Sequence, residues 1–440
     1  MMTRPFSVRV PCLAGLMMLS LVAAAQEEQN QLTADISFMA RGEVRNGGLP
    51  ETKEGEEVKG DLAHFVLGRT RLTVDYRRPR LETKMSLQHS GVWGQKGSGV
   101  NVFEAWARLN ADNGLFVQAG RQALSYDDER IIGPNDWSMA GMSHEALRLG
   151  YEGHGHKAHA ILAYNQTSEN TNSGSVYYTG GGQPYKTMQT GWYHYDFAGI
   201  PLGASLLFMN VGMQAGQKDA EDERIEWQHI YGAYLKYDSG LLSAEASYYE
   251  QGGHNEQGLK IDAWMASAKA TLNPSTNYGF EVGYDYLSGD EYFAVPTGSQ
   301  IGLTLHDVIR GFNPVYGSHH QFYGAMDFFY VSTYVNGFTP GLQNAFIGGY
   351  VKPVKGLKLG FDYHYLATAT KLRDIDKTLG HEIELRASYQ LMKEATISMA
   401  YSYMTGTETM ERLKRASDDG SLRWGWISLN VSPRIFSTKW

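Results

Sequence analysis

The feature that most constrains this chain is a two-residue alternation of apolar and polar side chains that recurs along most of its length. Thr70, Leu72, Val74 and Tyr76 alternate with Arg69, Arg71, Thr73 and Asp75. Phe361, Tyr363 and Tyr365 alternate with Gly360, Asp362 and His364, and Ile383 and Leu385 with Glu382, Glu384 and Arg386. Successive side chains of a strand point to opposite faces, so each segment has one apolar and one polar face. About eighteen such segments begin near residues 32, 62, 80, 99, 114, 143, 156, 186, 202, 226, 241, 259, 276, 341, 356, 379, 394 and 421. Most have the ~9–11 residues that cross a bilayer at a tilt.

The links between segments alternate short and long. Short ones include Arg78-Pro79 and Val354-Lys355; long ones fall at about 44–61, 123–142, 166–185, 214–225, 289–340 and 406–420. Outer-membrane barrels combine short periplasmic turns with long extracellular loops, and an even strand count leaves both ends in the periplasm. A backbone in lipid must satisfy its own hydrogen bonds, which closure of the sheet achieves. At 42% hydrophobic and 20% charged residues the composition alone looks soluble, but 50 Gly and 28 Tyr against 13 Pro, with short alternating segments, suit a membrane barrel whose strands give lipid only about half their residues. Tyrosines near strand ends (Tyr76, Tyr237, Tyr248, Tyr249, Tyr286, Tyr401, Tyr403) suit interfacial girdles. A soluble sandwich or propeller is the competing fold, yet its buried face would not face one so rich in charge. The expected architecture is all-β: one transmembrane antiparallel barrel of about 18 strands in the outer membrane of a Gram-negative cell.

Residues 1–25 read as a cleavable signal peptide: Arg4 and Arg9, an apolar stretch over 13–22, then Ala23-Ala24-Ala25. The barrel domain is then 26–440, and cleavage removes Cys12, the only cysteine. The expected surroundings are outer-membrane lipid and lipopolysaccharide. Trp440, after the alternating Ile427, Leu429 and Val431, fits a last strand handed to the barrel-assembly machinery. A net charge of −8 argues against nucleic acid as a partner.

One stretch is more specific. Gly120-Arg121-Gln122, Asp128-Glu129-Arg130 with Ile131, Ile132 and Gly133, Asn135-Asp136-Trp137 and Ala146-Leu147-Arg148-Leu149 together resemble the alginate-export family of outer-membrane proteins. A second block, residues 317–324 with Met326-Asp327, looks like that family's later His, Tyr-Gly and Met-Asp signature. The resemblance covers about residues 30–440. It implies an eighteen-stranded barrel and a channel; the family's best-known member exports a polyuronate through an electropositive pore.

With the apolar face toward lipid, the polar face lines the lumen. The early strands and their loop supply Arg69, Arg71, Lys84, Arg108, Arg121, Arg130 and Arg148, with Asp75, Glu82 and Glu104 among them. Clustered guanidinium groups bind carboxylates through paired charge-assisted hydrogen bonds; alternatively, they pair with lumen acids and stiffen the wall. The later strands supply Glu245, Glu281, Asp285, Asp362, Glu382 and Glu384, so one wall reads basic and the opposite wall acidic. A barrel this wide needs a constriction. Asp136 and Trp137 of the 123–142 link and His319, His320 and Tyr323 of the 289–340 link are the candidates; an external surface loop is the alternative.

The expected function is passive passage of solutes, anionic oligo- or polysaccharides or small anions, without cofactor or metal. A closed structural or adhesive barrel and an outer-membrane hydrolase are the other classes. The chain carries no nucleophile-elbow or zinc-type motif. His194 with Asp196, and Asp362 with His364, share strand faces and are half-sites at most. His154, His156 and His319-His320 lack the neighbouring ligands of a metal site.

Overall fold

The structure is a computed structural model that describes residues 29–46, 62–96, 99–166, 169, 177–178, 183–218, 221–290, 308–329, 339–372, 375–414 and 421–440. The signal-peptide reading of residues 1–25 lies outside them, as does most of the 44–61 link.

Antiparallel pairing runs in chain order through β1 (Gln31–Arg45), β2 (Ala63–Arg78), β3 (Leu81–Val92), β4 (Val100–Asn110), β5 (Leu115–Gln122) and β6 (His144–Gly153). It continues through β7 (His156–Tyr164), β8 (Thr187–Asp196), β9 (Leu202–Ala215), β10 (Arg224–Asp238), β11 (Leu242–His254), β12 (Lys260–Ser275) and β13 (Tyr278–Leu287). A two-residue segment, β14 (Val308–Ile309), lies parallel to the start of β12 and stays outside the succession. β13 pairs instead with β15 (Leu342–Val351), which is followed by β16 (Leu357–Ala367), β17 (Thr378–Met392), β18 (Ala395–Gly406) and β19 (Ser421–Val431). β19 pairs back onto β1 and closes the barrel. After Ser432-Pro433 the chain continues along β1 as β20 (Arg434–Lys439). Proline has no amide to donate, so it breaks this last strand without ending it. Without β14, and with β19 and β20 taken as one strand, the 20 segments make a closed wall of 18.

Local chemistry explains the tight turns. His154 and Gly155 join β6 to β7 with φ values of 54° and 81°. Two successive positive φ angles match the right-handed strand twist, and glycine takes one without strain. Thus the His154 region is a hairpin turn.

The lipid-facing assignment follows the alternation. Leu72, Val74, Met85, Phe361, Leu385 and Leu429 are exposed on the outside of the wall, and Tyr363 is half-exposed. Tyr249 departs from the girdle expected of it. Its parity on β11 turns it inward, where it is fully buried.

The inward face departs further, because it is not polar all round. Ile161, Met188, Leu207, Met209, Val211, Ile230, Ile261 and Met265, on β7 to β12, point inward and are buried in one apolar cluster. Leu124, Tyr126, Ile131, Ile132, Phe312 and Tyr316, from the two long links, complete it. Each such side chain contributes about 1.5–3 kcal/mol on leaving water. Part of the lumen is therefore filled by a packed core, which holds those links inside the barrel.

Candidate solute constriction

The two long links meet along their backbones. Ile132 and Tyr316 form a parallel bridge, with Gly133 N donating to Tyr316 O at 2.9 Å and Tyr316 N to Ile131 O at 3.2 Å. Ser318 N donates to Glu129 O at 2.9 Å. Both links therefore lie at the same end of the barrel, as the short–long alternation requires.

Each link is tied to the wall. Tyr126 reaches His159 at 3.0 Å, and Asp127 accepts from Trp192 Nε1 at 3.0 Å and Tyr249 OH at 3.3 Å. Burial pushes the Asp127 carboxyl up from its ordinary value, against these donors. Asn313 exchanges two hydrogen bonds with Gln251, and Glu382 accepts from the amides of Ala325 and Met326.

Arg130 is an anchor, which corrects its reading as a pore-lining group. Its guanidinium is buried against Asp128 at 3.2 Å, Asp285 at 3.1 Å and Ser267 at 2.9 Å, and lies over the Phe322 ring. Tyr323, read as a constriction residue, is fully buried beside it. Arg121 is a second correction. It stands directly opposite Glu145 and bonds it at 3.3 Å, on the parity of the lipid-facing Ala119 and Leu147. The Gly120 φ of 124° at this strand end does not turn it inward.

The remaining candidates do face the lumen. Arg69 grips Asp136 with both terminal nitrogens, at 2.9 and 3.3 Å, and Arg71 shares the same carboxylate at 3.2 Å while lying over Phe103. Trp137 is stacked between two groups. Arg41 lies 3.9 Å above its ring, and the His320 imidazole stacks on it at 3.8 Å with an interplanar angle of 6°. His320 Nδ1 is 2.8 Å from Asp327, while His319 donates to Pro314 O within its own link. Trp424 and Trp426 on β19 meet Trp137 edge-on. This stack joins β1, β19 and both links.

Deeper in the lumen, Lys84 pairs with Glu104 at 3.0 Å, and Arg108 with Glu152 at 3.4 Å and Asn110 at 2.7 Å. Arg148 donates to Gln118 at 2.7 Å, a neutral amide. Across the closing seam, Asp362 and Glu384 hold Arg386. The basic strands β2 to β6 stand across the lumen from the acidic strands β11 to β16: β11 is nine strands from β2, and β16 nine from β6, in the wall of 18. The two sets also approach at the seam, where β17 is four strand steps from β2 through β18, β19 and β1.

Sequence reasoning missed Arg41, Trp424 and Trp426, and noted Asp327 only as part of a motif. Arg41 and Glu43 fit an inward parity on β1 and were legible there; the tryptophans drew no notice because alternation assigns a face and not a partner.

The half-sites weighed for catalysis resolve as follows. His194 lies between Asp196 at 2.9 Å and Ser205 at 2.8 Å, but Ser205 is buried and closed to a substrate carbonyl. His364 bonds Asn344 at 2.8 Å.

No protein-family model and no curated protein matches the chain, so the resemblance to the alginate-export family gains no support. Solved structures do match. OccAB1 of Acinetobacter baumannii superposes with a TM-score of 0.59 at 14% identity, covering 92% of this chain and 97% of that one. OpdK, an outer membrane protein of Pseudomonas aeruginosa, gives 0.57 at 9%, covering 92% and 99%. A BenF-like porin from Pseudomonas fluorescens Pf-5 gives 0.59 at 11%, covering 92% and 99%. At such identities the fold alone is shared. The closed antiparallel wall, its apolar outer belt and this fold define a multi-pass outer-membrane β-barrel protein.

Proposed function

We propose that this barrel is a passive channel for small hydrophilic solutes that favours anions, carboxylated saccharides among them. The observation that carries the anion preference is Asp136: two arginines, Arg69 and Arg71, share this one carboxylate at the constriction. Arg148, with an amide as its hydrogen-bond partner, adds positive potential below them. Lys84 and Arg108 are paired with acids and contribute less. A solute carboxylate exchanging places with Asp136 would meet two guanidinium groups without being held irreversibly, as conduction requires.

The test is reversal potential in planar bilayers under a salt gradient. Arg71→Gln with Arg148→Gln should shift selectivity toward cations, and more so at low salt, where screening is weaker. Unchanged reversal potentials at low salt would leave the arginines as structural partners of the loops. Absence of conductance in the folded wild type would select the closed-barrel reading, which the wall contacts of both links also suit. On the channel reading, residues 1–25 direct export, the last strand engages the assembly machinery, and lipopolysaccharide surrounds the outer girdle.

A further inference from the structure

On the wall formed by β13 to β19, the register sets small and large inward residues side by side. Gly279, Tyr350, Gly360, Arg386, Ala400 and Trp426 are successive partners across six strands. Gly360 therefore leaves a gap between Tyr350 and Arg386, and Ala400 leaves one between Arg386 and Trp426. The row beneath is short and hydroxylated: Lys358 is followed across the sheet by Ser388, Ser398 and Ser428. Four strand spacings separate Tyr350 from Trp426, about 19 Å along the sheet. The result is a cavity of about 420 Å³ in the lumen wall, open along one side and lying toward the short-turn end from the Trp137 stack. Small-molecule sites are commonly of this size, ~300–1,000 Å³.

The lining states what would fit. Glu281 and Asp362 carry two negative charges and Lys358 and Arg386 two positive ones, so the cavity is formally neutral. Arg386 is ordered by Asp362 and Glu384 yet half-exposed, so its remaining N–H groups face the space. Donors and acceptors thus alternate along a floor of glycine and serine, with an aromatic ring at each end. A free anion or cation gains nothing from a balanced lining. A pyranose gains on each count: its hydroxyls both donate and accept, its C–H face packs on an aromatic ring, and its flat shape suits a glycine floor. We infer that this cavity is a binding subsite for a short uncharged saccharide, distinct from the arginine constriction. The inference rests on the channel reading only for how the sugar arrives.

The test uses maltose as probe, with glucuronate as the charged control. Maltose is titrated calorimetrically into the detergent-solubilised full chain, and its effect on current is measured in planar bilayers. Saturable maltose binding is expected, weakened at least tenfold by Gly360→Trp, which fills the gap. Arg386 lies over Gly360, its Nε 3.4 Å from where a Cβ would stand, so the indole occupies the space and pushes that guanidinium aside. Tyr350→Ala, which removes one wall, should weaken maltose similarly and serves if Gly360→Trp fails to fold. Any glucuronate effect should be the same in wild type and variants. Absence of saturable maltose binding by the folded wild type, or equal affinity in both folded variants, would overturn the subsite. A barrel that binds maltose but passes no current keeps the subsite and rejects the channel; one that conducts without binding does the reverse.

Discussion

Replacing Arg130 with leucine should loosen the inner loops without unfolding the barrel. The side chain is 5% exposed and bridges Asp128 in its own link to Asp285 on β13. Removing one partner of a buried ion pair costs about 3–5 kcal/mol, because the other charge is left without compensation. Here the lower end applies. Asp285 keeps hydrogen bonds from Ser267 at 2.7 Å and Asn344 at 2.9 Å. A loss of about 3 kcal/mol raises the open population of the docked loops roughly a hundredfold. The wall, whose ladder does not involve Arg130, should keep its heat resistance.

Hydrogen exchange followed by mass spectrometry reads this directly. The amides of Gly133, Tyr316 and Ser318, bonded between the two links, should lose about two orders of magnitude of protection. Amides of β3 and β18 should not change. Arg130→Leu with Asp285→Leu should recover part of the loss, since no charge at 285 then remains unpaired. Unchanged protection of the three loop amides in the single variant would show that the apolar cluster alone fixes the links, and the ion-pair argument would fail.

Leu385→Arg places a charge on an outward position that is 56% exposed. It should impair membrane assembly, at ~2–4 kcal/mol near the bilayer midplane; normal folding yield and heat-modifiable gel mobility would contradict the assigned face. Gly317→Ala should undock the loops, because a Cβ there would stand 2.2 Å from the Arg130 carbonyl oxygen. Exchange protection of Ser318 equal to wild type would count against it. His319 is held below the ordinary imidazole value by burial, against the Pro314 carbonyl and Asp327. A base with a lowered folded pKa favours the docked loop above its free value, ~6.5, and loses that contribution as pH falls below it. Asp127, with its raised pKa, acts in the opposite sense. The measurement is therefore a difference: open-channel noise should rise less from pH 7.5 to pH 5 in His319→Gln than in wild type, and an equal rise in both would remove His319 from the account.

The wall was legible in the sequence because lipid imposes a period-two signal that no neighbouring residue can override. The structure begins strands at 31, 63, 81 and 100 where alternation starts near 32, 62, 80 and 99. The lumen was less legible. Alternation told that Arg69, Arg71 and Arg148 face inward, but not that Arg69 and Arg71 would meet Asp136 from another strand's link. For Arg121, at a strand end, the alternation left the direction open, and the structure turns it to the outer face. The inner apolar cluster had a signal that was passed over: Leu206-Leu207-Phe208-Met209 is a continuous apolar run, which in a barrel means that both faces of β9 avoid water. The fourfold contact of Trp137 with Arg41, His320, Trp424 and Trp426 joins residues up to 385 positions apart, which no local pattern encodes.

On the channel reading, that inner cluster restricts where a solute can travel. A buried Leu207 or Met209 face is closed to a hydrated solute, so β7 to β12 act as a support for the loops. On the remaining arc the polar inward residues Asn344, Asp362 and Glu384 on β15 to β17, Ser402 on β18, Ser428 on β19, Arg41 on β1 and Arg69 on β2 are buried as well, whereas Asp136 and Arg386 reach solvent. On the channel reading, the path of a solute runs beside these two exposed groups, near the seam where the chain's two ends meet. A solute on it meets Arg69, Arg71 and Asp136 beside the Trp137 stack, and then the balanced cavity around Arg386. An anion gains at the first and an uncharged ring at the second. On the two proposals together, selectivity is set by the order of two weak sites along one path, and changing either should alter the flux of one solute class while leaving the other's unaffected.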